Sequence, residues 1–152
     1  TITDAIPELK NLTPRGWPDS MNFYNSDGTH DDVTKRIIAP MRFLHDSEMV
    51  PVTRENVLTH QVGHALDFAH GFLSNSKEFV EAYDKDFTRL KGSNDPRARY
   101  LSQPDGAGRQ ETFAAVFGLV LTGPENEGDR RFLTENFLRV QKEGKKRLKS
   151  LK

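Results

Sequence analysis

His60-Gln61-Val62-Gly63-His64 sets two imidazoles four residues apart. Positions i and i+4 of a helix share a face, so both rings can offer a nitrogen to one Zn²⁺. In zinc peptidases with this spacing the residue after the first histidine is a glutamate that takes a proton from metal-activated water. This chain has Gln61 there, an amide of similar size with no carboxylate to protonate. The pattern therefore predicts zinc binding without hydrolysis.

The neighbouring residues predict a helix that could carry the pair. Thr53 can cap a helix starting at Arg54. The run from Asn56 to His70 has no proline and carries apolar residues at Val57, Leu58, Val62, Ala65, Leu66 and Phe68. Gly63 costs such a helix about 1 kcal/mol relative to alanine, and its small size could admit another backbone. Gly71 offers a C-terminal stop. Asp67 shares the histidine face and could orient an imidazole from the second shell of a metal site. A third ligand is still required. The stretch from Arg109 to Leu121 reads as a largely buried helix with one acid, Glu111, near its start. Such a glutamate can simply face a helix N-terminus, but opposite two histidines it completes a His₂Glu set with one open position.

These two stretches, His60 to Asp67 and Glu111 to Phe117, resemble the zincin family of anthrax lethal factor and the secreted Pro-Pro endopeptidases, in the same order and at a compatible separation. The resemblance implies a mostly helical α+β zincin domain with a small sheet whose edge strand aligns an extended substrate. It implies His60, His64 and Glu111 as Zn²⁺ ligands, Gln61 in the place of the catalytic glutamate, a peptide or protein substrate, and secretion, either as such or as a domain of a larger toxin or effector. Two positions depart from the family. Ala115 stands where members carry a further glutamate, and Pro104 stands where they place an oxyanion-stabilising tyrosine; Tyr100 is the nearest substitute.

Gln61 has two readings. One is a zinc endopeptidase silenced by a Glu-to-Gln replacement, the main expectation. The other is a naturally inactive, zinc-stabilised domain that binds peptide or protein.

The remaining sequence supplies the frame. At 152 residues the chain fits one domain, with 142–152 as a basic C-terminal extension. That extension holds six basic residues and Glu143, so the rest of the chain carries −5 because the total is zero. No aromatic residue punctuates the basic stretch, which argues against single-stranded nucleic acid as a partner. There is no cysteine, which excludes disulfides and thiolate metal ligands, and no apolar run long enough to cross a membrane. Up to Asp32 the chain is rich in turn-forming residues, with Leu9, Leu12, Trp17, Phe23 and Tyr24 as anchors. The segment from Val33 to Leu44 reads as a strand interrupted at Pro40. Ser76 can cap a helix bearing Phe79, Tyr83, Phe87 and Leu90 on its core side. After Pro124 and Gly128 a last helix is expected from Asp129 or Arg130 to about Gln141. His30 and His45 fall in no second metal motif, Asp31 and Asp32 are expected in a turn with a second ion site as the alternative, and Gly106 and Gly108 lack the strand-loop-helix order of a phosphate site.

Overall fold

Apolar residues spaced for a helix run from Val57 to Phe68, and in the computed structural model α1 spans Arg54–Ala69. Residues 2–3, 28–31, 35–40, 42–45, 48–51, 54–121 and 127–150 are described. Thr53, Leu9, Leu12, Trp17, Phe23, Tyr24, Asp32, Val33 and Pro124 lie outside them. At the end of α1, Gly71 adopts φ +71°, a left-handed conformation that costs glycine little. The Gly71 N–H donates to Phe68 O and the Phe72 N–H to Asp67 O, at 3.1 and 2.7 Å. These two bonds satisfy carbonyls that the last helical turn leaves without partners.

The described strands precede α1. β1 (Ile2–Thr3), β2 (Thr29–Asp31) and β3 (Arg36–Pro40) form a sheet in the order β1-β3-β2. β1 runs parallel to β3, with Ile2 opposite Ala39; β2 runs antiparallel to it, with His30 opposite Ile37. Beyond β3, β4 (Arg42–His45) pairs with β5 (Glu48–Pro51) as an antiparallel hairpin, Phe43 opposite Val50. The expected interruption at Pro40 is the boundary between β3 and β4. α1 packs against β2 and β3 on one side and against α4 (Ala107–Leu121) on another.

Six more helices or turns complete the frame among the described residues. A 3₁₀ turn (Leu73–Asn75) leads into α2 (Lys77–Phe87), and a second turn (Thr88–Leu90) leads to the short α3 (Pro96–Tyr100). α2 buries Phe79, Ala82 and Tyr83, while Phe87 and Leu90 pack at the edge of the same core. Ser76 occupies the N-cap position of α2, but its hydroxyl donates to Leu73 O at 2.7 Å and makes no cap bond, because the preceding 3₁₀ turn offers a nearer carbonyl.

The single last helix expected to about Gln141 is instead two. α5 (Glu127–Asn136) and α6 (Leu138–Ser150) are separated at Phe137, whose side chain is wholly buried. The break is stabilised from α2. Asp86, fully buried, accepts from the backbone N–H groups of Arg139 and Val140 at 2.7 and 3.0 Å, and its other oxygen accepts from the Arg139 guanidinium at 2.8 Å. A carboxylate at that point satisfies N–H groups that have no partner within the helix and favours its positive end. α6 extends through most of the basic stretch. Val140 and Gly144 are buried against the core, and Arg147 reaches Glu143 and Glu78. The core thus gathers α2, α3, α4, α5 and α6 around Phe79, Phe113, Val116, Phe137 and Val140. The fold is a mostly helical α+β arrangement with small sheets; the specific zincin architecture does not follow from it. Among the described residues no helix is long and apolar enough to cross a membrane.

Candidate metal centre

His60 and His64 project from α1 toward α4, and Gly63 between them is what permits the approach. A Cβ at position 63 would stand 2.8 Å from Ala114 Cα and 3.1 Å from Ala114 O, so any larger residue would push the helices apart. Glu111 lies one helical turn before Ala114 on α4, and the crossing brings its carboxylate to the imidazoles despite a separation of 51 residues from His60. Glu111 Oε2 is 3.1 Å from His60 Nε2 and 3.3 Å from His64 Nε2, and the two Nε2 atoms are 3.1 Å apart. The imidazole planes stand at 83° to each other.

Three donor atoms converging in this way form a group able to hold a metal ion, and no other such group of His, Asp or Glu occurs among the described residues. The two Nε2 atoms lie within hydrogen-bond distance, one imidazole donating and the other accepting according to tautomer, and both also face Glu111 Oε2. The same three lone-pair donors could instead converge on one cation. His60 and His64 retain 24% and 18% of their side-chain surface and Glu111 15%, so the cluster sits at the protein surface under partial cover. Burial opposes ionisation of Glu111, yet hydrogen bonds from His60 and His64 and their positive charge outweigh it and hold the carboxyl well below the usual carboxylate range.

Asp67 does not act as the imidazole partner that its place on the histidine face suggests. Its two oxygens accept from the Ser74 backbone N–H at 2.7 Å and the Ser74 hydroxyl at 2.6 Å, which ties the end of α1 to the 3₁₀ turn. Burial raises the Asp67 pKa, partly offset by the Ser74 hydrogen bonds and by the charge of His64. Tyr100, at the end of α3, donates from its phenol to Glu111 Oε2 at 2.5 Å. The family resemblance offered Tyr100 as a substitute oxyanion donor, beside an ordinary interfacial tyrosine; its contact with a carboxylate eleven residues on has no periodic signature.

Gln61 is buried, with 6% of its surface exposed, and its Oε1 has no hydrogen-bond partner among the described residues. An ideal Cβ built at Gly28 would come within 3.5 Å of Gln61 Cγ, so the side chain packs beside β2. A neutral amide costs less than a carboxylate in such a place.

No family model matches the chain, and neither a curated protein nor a solved structure matches it. Membership of the lethal factor and Pro-Pro endopeptidase family is accordingly not upheld. The reading of a protease silenced by Glu-to-Gln replacement is corrected with it. Glu111 is intact and belongs to the metal-ligand cluster, and the chain has no His-Glu-x-x-His motif. Protease activity, toxin identity and an inactivated mutant state have no support in this site.

Proposed function

We propose that the chain is a naturally non-catalytic, zinc-stabilised domain that binds peptide or protein. The observation that carries this reading is the His60, His64 and Glu111 cluster. With metal-ligand bonds of about 2.0–2.1 Å, the edges of a zinc tetrahedron are about 3.3 Å long. The donor separations of 3.1, 3.1 and 3.3 Å approach that value on all three edges. Imidazole and carboxylate donors suit zinc, which when bound would act as a Lewis acid and link α1 to α4. The three residues leave one position of a tetrahedron for a donor from solvent or from a partner.

Gln61 favours binding over turnover. Its amide cannot take a proton as a carboxylate would, so the residue beside the first ligand supplies shape and amide hydrogen-bonding groups but no base. Partial exposure of both imidazoles, with Tyr100 40% exposed nearby, supports access by a side chain or carbonyl of a peptide.

The test is to load the purified chain with zinc, measure metal per chain, and incubate it with a random-sequence peptide library. The expected outcome is one zinc per chain, retention of a subset of peptides that is lost on chelation, and no cleavage by mass spectrometry. Zinc-dependent cleavage, or absence of zinc binding, would contradict the proposal.

A further inference from the structure

Glu111 Oε2 is shared by three groups: His60 Nε2, His64 Nε2 and the Tyr100 hydroxyl. Their fates differ when a cation enters. Each imidazole must direct its Nε2 lone pair at the ion, so neither nitrogen can continue to donate to Glu111. The phenol lies on a different element and keeps its O–H. We infer that Tyr100 is a positioning residue of the metal centre, which holds Glu111 Oε2 in place once the imidazoles have turned their bonding to the ion. This rests on the metal-binding reading above and adds to it a donor outside the ligand set.

The placement of the phenol is built in by the core. Asp95 caps α3 by accepting from the Arg97 N–H at 2.9 Å, and Pro96 follows it at the first helical position, where a missing N–H costs nothing. Ala98 and Leu101 are buried, flanking Tyr100 in the chain. Tyr83 on α2 donates to Leu101 O at 2.6 Å, and the Gln103 amide donates to Tyr100 O at 2.9 Å. The backbone on both sides of Tyr100 is therefore anchored while its ring remains at the surface. A side chain merely resting on the surface would not need its phenol directed at the one oxygen that both imidazoles also face.

A phenol hydrogen bond to a ligating carboxylate does two things. It restricts rotation of the carboxylate, which lowers the ordering cost of binding, and it sets which oxygen faces the ion. Tyr100→Phe removes the hydroxyl and keeps the ring, so the variant tests the hydrogen bond with little disturbance of packing. Loss of an outer partner of this kind typically weakens metal binding about 10–100-fold.

The experiment compares the full chain and Tyr100→Phe by zinc competition against a chromophoric chelator, by the visible d–d spectrum of the Co²⁺-loaded proteins, and by the thermal midpoint of the metal-free proteins. The expected result is zinc affinity lowered about 10–100-fold, an altered Co²⁺ spectrum, and a metal-free midpoint close to that of the unmodified chain. Equal affinity and an identical Co²⁺ spectrum would overturn the inference while leaving the metal centre intact. A tyrosinate-to-metal charge-transfer band with Cu²⁺, lost in Tyr100→Phe, would overturn it in favour of direct ligation. Failure of the unmodified chain to bind zinc or Co²⁺ would instead remove the metal-binding reading on which it rests.

Discussion

Glu111 carries the negative charge of the cluster, and its ionisation gives the metal-free protein a pH signature. Burial opposes the charged form, but the hydrogen bonds and charge of His60 and His64 prevail, so the folded carboxyl binds its proton more weakly than an ordinary glutamate at 4.5. Between the folded and unfolded values the unfolded chain holds more protons, and stability rises with pH. The contribution is complete above 4.5 and is lost as pH falls below it. Thermal midpoints of the metal-free chain and of Glu111→Gln, measured from neutral pH downward, should differ most above that value and converge below it. A gap that stays constant through the acid range would contradict this account. At this scale the two histidines were legible as rings on one helix face, a weak signal alone that gained force from Glu111, a lone acid in an apolar helix that needs a reason. The destination of Asp67 was not, since Ser74 competes for its carboxylate from a turn that side-chain spacing does not describe.

The crossing of α1 and α4 turns separate residues into a site. Gly63 costs helix propensity of about 1 kcal/mol, yet a side chain there would collide with the backbone at Ala114. Gly63→Ala should therefore gain helix propensity but separate the helices by a few tenths of an ångström, with overpacking costing about 1–3 kcal/mol. Metal affinity should fall along with stability, checked by chelator competition and by urea denaturation. A variant with stability and affinity both unchanged would mean the crossing does not set the donor spacing. α1, α2 and α4 were readable from apolar periodicity, and the end of α1 from Gly71. The break between α5 and α6 was not. Apolar residues continue through Phe132, Leu133, Phe137 and Val140 as they would in one helix, and the group that stabilises the new start, Asp86, lies 53 residues away from Arg139. Long-range caps of this kind leave no local trace in sequence.

Across the whole molecule the candidate metal centre joins an element that packs on the sheets to one that packs in the helical core. α1 contacts β2 and β3, α4 contacts α6, and the donors meet where α1 and α4 cross. An unfolded chain has no such site, so metal affinity is converted directly into folding stability. At free zinc 100-fold above the dissociation constant the gain is about 2.7 kcal/mol. For a chain of this length each kcal/mol moves the thermal midpoint by roughly 2–4 °C. The most direct measurement is calorimetric melting of the chelator-stripped chain, alone and with zinc, beside the His60→Ala variant. The account predicts a midpoint rise of roughly 5–11 °C in the unmodified chain, reversed by chelator, and little or none in His60→Ala. An unmoved midpoint in the unmodified chain, or the same rise in His60→Ala, would contradict it.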